Sequence, residues 1–105
     1  MAIYRKEYQH LVGMRLYVVY PFYSSLTQDD FKNTIMELYG YGITPIIAAT
    51  YIVSRNFHIL DRNNIYQTMG LCEGVILLRE EHMTKTMMSE LMYARRIGLP
   101  VYRLE

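Results

Sequence analysis

The segment GVILLREEHMTKTMMSELMYARRIGLPVY, residues 74 to 102, decides the fold of this chain. It opens with a short run that is apolar at every position, continues through a polar loop, and then spaces its apolar residues as a helix does as far as Gly98. A second β-prone run follows, with Pro100 at its start. Non-alternating apolar strands that are joined by a helix are typical of a parallel sheet covered on both faces. We therefore predict a β-α-β unit here.

The upstream sequence repeats this order of elements. MRLYVVY, residues 14 to 20, predicts a first strand. QDDFKNTIMELYGYG, residues 28 to 42, predicts a helix with acids in its first turn and glycines after its last turn. ITPIIAA, residues 43 to 49, predicts a second strand, and LDRNNIYQTMGL, residues 60 to 71, a short helix. The predicted fold class is therefore α/β, with a small parallel sheet of about four strands between two layers of helices.

Length and composition limit the classes of function. The 105 residues suit one domain, which we place at 14–105 with an N-terminal appendage at 1–13. The 11 Lys and Arg residues nearly balance the 10 Asp and Glu residues, so the chain lacks the basic charge typical of nucleic-acid binding. The apolar runs are shorter than the roughly 20 residues of a membrane span. With no signal sequence at its start, the chain is predicted to be cytoplasmic.

The side chains most relevant to chemistry are few. Cys72 is the one cysteine, so we expect it to pack as a small hydrophobe. The three histidines lack metal-ligand spacing with it, and we expect neither a metal nor a cofactor. The 11 tyrosines and 8 methionines indicate an oligomer interface, a ligand pocket or both, although tyrosines also fill half-exposed positions. We expect a homodimer or a higher homo-oligomer.

Open parallel sheets bind ligands at the carboxyl ends of their strands. Three segments therefore contain the candidate site: residues 20–26, 48–58 and 79–86. Glu90 stands close to the last of them, on the flank of the apolar face of its helix, with no basic residue three or four positions away. A Glu at such a position either reaches water or a distant cation, or it is a partly buried acid at the mouth of a functional cleft.

Three stretches resemble the nucleoside 2-deoxyribosyltransferase-like family, which includes nucleoside deoxyribosyltransferases and nucleoside 5′-monophosphate N-glycosidases. RLYVVYPFYSS is similar to the family's first strand and its Gly-Pro-Tyr-Ser type loop, and LCEGVILL is similar to a strand that opens Cys-Asp. TKTMMSELMYARRIGLPVY resembles the family's Ser-x-Gly-x-x-x-Glu helix and the Gly-x-Pro that follows. The resemblance covers residues 14 to 105 and implies a flavodoxin-like or Rossmann-like fold.

The resemblance implies that Glu90 is a nucleophile that attacks the anomeric carbon of a nucleoside or nucleotide as the base leaves. Asp61 is the preferred second acid, and Glu73 is the other candidate. Tyr20, Phe22 and Tyr23 are candidates for stacking on the base, or else for packing under the sheet or against another subunit. Ser24 and its neighbour Ser25 are candidates for sugar or phosphate contacts, or for helix capping.

Residues Thr84, Lys85 and Thr86 could bind a phosphate at the start of the helix, although a plain helix cap explains the same residues. Tyr20 and Thr86 replace glycines of the family pattern. The leading hypothesis is cleavage or transfer at an N-glycosidic bond, either hydrolase or transferase, with NAD cleavage as a related reaction. The alternatives are a nucleotide-binding protein of the same fold that lacks catalysis, or a structural or interaction protein.

Overall fold

The computed structural model describes residues 11–21, 28–47 and 62–103 of the chain. In the order of the sequence these residues form eight elements: β1 (Arg15–Val19), α1 (Gln28–Gly40), β2 (Thr44–Ile46), α2 (Arg62–Gly70), β3 (Gly74–Leu77), a short 3₁₀ helix (Glu80–His82), α3 (Lys85–Arg96) and β4 (Val101–Arg103). Every strand and helix predicted from the sequence is present in these ranges. The 3₁₀ helix lies in the segment predicted as a polar loop.

The four strands form one parallel sheet in the order β2-β1-β3-β4. Residues of β1 alternate between two apolar clusters, because successive side chains of a strand point to opposite faces. Leu16 and Val18 pack with α1 residues such as Leu38, whereas Tyr17 and Val19 pack with residues from α2 and α3. The predicted α/β class is therefore confirmed, and within the described residues the arrangement is Rossmann-like, with α1 on one face of the sheet and α2 and α3 on the other.

The ends of α3 follow from its sequence. Thr84 precedes the helix in an extended conformation, and its hydroxyl oxygen accepts a hydrogen bond of 3.1 Å from the Met87 amide. At the other end, Gly98 has a φ of +80°. The Gly98 amide donates to the carbonyl of Arg95, and the Leu99 amide donates to the carbonyl of Ala94. This Schellman pattern ends the helix, and glycine supplies the left-handed conformation that it requires.

Two other buried residues bear on the sequence predictions. Leu11, which falls within the predicted appendage, is fully buried in the α1-side cluster. Cys72 is buried in the opposite cluster, as expected of a small apolar side chain, and burial raises the pKa of its thiol to about 11. No helix within 11–21, 28–47 or 62–103 is long and apolar enough to cross a membrane.

Candidate active site

The strand order places a topological switch point between β1 and β3. The connection after β1 crosses one face of the sheet to β2, and the connection after β3 crosses the opposite face to β4. At the carboxyl edge the two strands remain joined, because the Leu78 amide donates a hydrogen bond of 3.0 Å to the carbonyl of Val19. Ligands of open α/β sheets bind in the crevice at this point.

Glu90 lies in the layer between the sheet and α3. Its exposed fraction is 2%, and no other charged residue of the described ranges is buried. Met87, Glu90 and Ala94 form the buried side of α3, and helical side chains lean toward the N-terminus of their helix. The carboxylate of Glu90 is therefore directed from the middle of the layer toward the carboxyl edge of the sheet.

The Tyr17 hydroxyl donates a hydrogen bond to Oε2 of Glu90. Tyr17 lies in the middle of β1 and faces the α2–α3 side, two residues before the last residue of the strand. A buried carboxylate needs donors in place of water, since desolvation without hydrogen bonds is costly. The structure therefore shows that Glu90 does not reach water, and that the Tyr17 hydroxyl orients one of its carboxylate oxygens.

A stacked tyrosine pair joins α2 and α3. The rings of Tyr66 on α2 and Tyr93 on α3 are nearly parallel, with an interplanar angle of 16° and centroids 4.0 Å apart. Tyr93 follows Glu90 by three positions, so the two residues are neighbours along α3. The pair fixes the approach of the two helices that cover this face of the sheet.

A second polar cluster lies on the opposite face of the sheet, at the same edge. Arg79 follows β3 and pairs with Asp30 in the first turn of α1, with 3.0 Å from Nη2 to Oδ1 and 3.2 Å from Nε to Oδ2. Nη2 also donates to the Thr34 hydroxyl at 3.0 Å, and that hydroxyl donates to the Asp30 carbonyl at 2.7 Å. Tyr20 donates its hydroxyl proton to Oδ2 of Asp30. Side chains from β3, α1 and the end of β1 therefore form one network.

The groups of this network shift one another's pKa values in directions that keep Asp30 and Arg79 charged and Tyr20 neutral. The hydrogen bonds from Arg79 and then from Tyr20 lower the pKa of the Asp30 carboxyl. The bond to Asp30 raises the pKa of Arg79, and burial together with Asp30 raises the pKa of the Tyr20 phenol. At neutral pH the network contains one carboxylate and one guanidinium, which compensate each other.

Arg79 also has an unusual backbone. Its φ is 52° and its ψ is 48°, and it is the one non-glycine residue with a positive φ in the described ranges. Strained conformations of this kind concentrate at functional sites. Arg79 lies in the predicted segment 79–86 but was not among the candidate residues. Asp30 lies outside the three predicted segments, although it stands in the first turn of the helix that follows β1, which is a signal that would have placed it near the switch point.

The predicted site residues are distributed over several places. Tyr20 has an exposed fraction of 3% and packs edge-on against Phe31 in the α1-side core, with ring centroids 5.0 Å apart. Thr84 caps α3, Lys85 is exposed and Thr86 is half-buried in the first turn of that helix. Glu73 lies at the amino edge and pairs with Arg15 at 3.5 Å. The other candidates fall outside the described residues: Phe22, Tyr23, Ser24, Ser25 and Asp61.

No protein-family model matches this chain, and no significant match exists among curated proteins or among solved structures.

The described side chains offer acid-base and nucleophilic chemistry at Glu90. In the described part of the chain, no three His, Cys, Asp or Glu side chains group in a way that could bind a metal ion. A carboxylate oriented by a tyrosine and shielded from water is suited to attack an electron-poor carbon, since it does not have to shed a hydration shell. The helix start at Thr84 still offers the backbone amides of Lys85 and Thr86 for an anion, because the Thr84 cap occupies only that of Met87.

Proposed function

We propose that this protein cleaves the N-glycosidic bond of a nucleoside or nucleotide, with Glu90 as the nucleophile. The observation that supports the proposal best is the buried carboxylate of Glu90, oriented by the Tyr17 hydroxyl in the layer beside the switch point. The resemblance of residues 84–102 to the helix of the deoxyribosyltransferase-like family points to the same residue and the same reaction.

In the proposed reaction, one carboxylate oxygen of Glu90 bonds to the anomeric carbon while the bond from that carbon to the base nitrogen breaks. The electron pair of that bond leaves with the base, which gains a proton on a ring nitrogen. Water or a second base then displaces Glu90 from the covalent glycosyl intermediate. The hydrogen bond from Tyr17 would direct the attacking oxygen, and Asp61 is the proposed proton donor to the leaving base.

The experiment is a chromatographic assay for free base released from nucleosides, nucleoside 5′-monophosphates and NAD. We expect release from at least one substrate by the wild-type protein and none by Glu90→Gln, which keeps the size of the side chain and removes the nucleophile. Asp29→Asn is the control, since Asp29 is an exposed acid in the first turn of α1 and its change to an amide leaves the size of the side chain unchanged. Full activity of Glu90→Gln would disprove the assignment of the nucleophile.

A second candidate is a nucleotide-binding protein that lacks turnover. The observation in its favour is the 2% exposure of Glu90, because a substrate needs a path to the carboxylate. This candidate predicts that a nucleoside or nucleotide raises the melting temperature and is recovered intact, and that Glu90→Gln leaves its affinity unchanged. Base release by the wild-type protein would exclude it.

A further inference from the structure

We propose that Arg79 is a ligand-binding residue, and that Asp30 makes its site select uncharged nucleosides over nucleoside 5′-monophosphates. Arg79 would donate hydrogen bonds from Nη1 to a neutral oxygen of the ligand, such as a carbonyl of the base or a hydroxyl of the sugar. This inference rests on the proposed N-glycosidase function and deepens it by naming the class of substrate.

The Arg79 guanidinium contacts α1 through only one of its edges. Asp30 and Thr34 occupy the edge of the group that carries Nε and Nη2. The guanidinium is planar and rigid, so Nη1 lies on the side away from Asp30. Nη1 makes no hydrogen bond with any residue in the described ranges, and 37% of the Arg79 side chain is exposed. Two N–H donors are therefore fixed in direction and open to a ligand.

The edge of the guanidinium that carries Nη1 belongs to a residue at the switch point. Arg79 follows Leu78, whose amide is bonded to the end of β1, so its backbone stands at the switch point. The left-handed backbone of Arg79 turns the chain there, and the bonds to α1 keep that conformation in place. A strained residue whose side chain is fixed in advance loses little conformational freedom when it binds a ligand.

The carboxylates around Arg79 disfavour a phosphate at this position. The Asp30 carboxylate compensates the guanidinium at a separation of 3.0 Å. Glu80 and Glu81 follow directly in the chain; Glu80 pairs with Arg103, and Glu81 is exposed. A phosphate brought to Arg79 would meet the repulsion of Asp30 and Glu81, whereas a neutral oxygen would not. A compensated guanidinium therefore favours a ligand without a phosphate at this position.

The test measures binding by calorimetry in the Glu90→Gln background, so that no ligand is consumed. The probes are uridine, inosine, their 2′-deoxy forms and the 5′-monophosphates of all four. We expect at least one nucleoside to bind about tenfold more tightly than its monophosphate, and Arg79→Gln to weaken that nucleoside about tenfold, as expected for the loss of a hydrogen bond from a charged donor. Asp30→Asn should strengthen binding of the monophosphate about tenfold, because it uncovers the positive charge.

Two further variants separate ligand binding from structure. Arg79→Gly removes the side chain but accepts the positive φ, so it should fold and should lose the same affinity as Arg79→Gln. Arg103→Gln is the matched control, because it breaks an exposed pair of an Arg with Glu80 at the end of β4 and should leave the affinity for the uncharged nucleoside unchanged. Circular dichroism and thermal unfolding establish that each variant is folded.

The outcomes distinguish this inference from the proposed function. If Arg79→Gln and Arg79→Gly bind the nucleoside as tightly as the Glu90→Gln protein without them, the role of Arg79 is overturned. Base release by the wild-type protein would in that case still support the proposed N-glycosidase function. If the Glu90→Gln protein binds a monophosphate more tightly than the corresponding nucleoside, the selection by Asp30 is overturned. If it binds none of the probes, the whole inference is overturned. Arg79-dependent binding of a nucleoside without base release supports the ligand-binding role of Arg79 and overturns the proposed N-glycosidase function.

Discussion

Tyr17 and Glu90 depend on each other because both are buried polar side chains in an otherwise apolar layer. Tyr17 is fully buried on a central strand, and its hydroxyl reaches the carboxylate on α3. An aromatic residue in the middle of a parallel strand is ordinary core material. The hydroxyl group distinguishes Tyr17 from phenylalanine, which would fill the same space. Phenylalanine would leave the buried Oε2 of Glu90 without the hydrogen bond from Tyr17.

Tyr17→Phe is therefore predicted to fold with a free energy of unfolding lower by about 1–3 kcal/mol. If Glu90 is the nucleophile, the same change should reduce kcat for base release by about tenfold to a hundredfold, because the attacking oxygen loses its orientation. Urea unfolding and the chromatographic assay measure the two effects. Tyr39→Phe removes the hydroxyl of an exposed tyrosine and is the control; equal behaviour of the two variants would contradict the prediction.

At the scale of elements, the contact between β3 and its neighbours depends on a glycine. A Cβ atom added at Gly74 would lie 2.9 Å from Cε2 of Tyr102, 3.1 Å from Cδ2 of Leu16 and 3.2 Å from the carbonyl oxygen of Pro100. These residues belong to β4, to β1 and to the segment just before β4. Glycine at the first position of β3 therefore lets three parts of the sheet approach closely.

Gly74→Ala is predicted to lower the free energy of unfolding by about 1–3 kcal/mol, the usual cost of overpacking. The Pro100 carbonyl cannot move aside as a flexible side-chain end would, because the Val75 amide donates to it at 2.9 Å. Gly70→Ala provides the control, since a Cβ atom there would have no neighbour within 4 Å. Chemical denaturation of both variants measures the difference, and equal midpoints would refute the close approach.

At the scale of the whole molecule, the network of Tyr20, Asp30, Thr34 and Arg79 joins β1, α1 and β3 at one edge of the sheet. These elements are separated along the chain, so the network forms only when the sheet and α1 have assembled. Its stability depends on the ionisation of Asp30, whose pKa is lower in the folded protein because of Arg79 and Tyr20.

This linkage predicts a pH dependence. Below the ordinary Asp pKa of about 4 the unfolded chain binds a proton that folded Asp30 still rejects, so the free energy of unfolding increases with pH in this range. The contribution of Asp30 is complete above about pH 5 and is lost as the pH falls through its lowered folded pKa. Urea unfolding between about pH 2 and 7 should therefore show a flatter profile for Asp30→Asn than for the wild type.

Asp29→Asn removes an exposed carboxylate from the same turn of α1 and is the control. We expect its profile to follow that of the wild type. If Asp30→Asn and the wild type instead lost stability in parallel as the solution is acidified, the ion pair with Arg79 would not contribute to the folded state.

The candidate site was only partly predictable from the sequence. The position of Glu90 on the flank of an apolar helix face, without a basic partner along the helix, identified it as unusual. The hydrogen bond from Tyr17 to Glu90 could not be predicted, because Tyr17 lies 73 positions earlier and nothing in the sequence distinguishes it from the other residues of its apolar strand. The prediction for Tyr20 left stacking and packing open, and its burial against Phe31 shows packing.

The sequence by itself determined the four strands, the three α-helices and the parallel arrangement of the strands. Local signals sufficed for these features: apolar strands without alternation, the Thr84 cap and Gly98 at the end of α3. Only the tertiary structure decided which side chains meet, such as Tyr17 with Glu90 and Arg79 with Asp30. The physical reason is that helix and strand signals act over a few residues, whereas Arg79 and Asp30 are 49 positions apart and meet only because β1 and β3 are neighbours in the sheet.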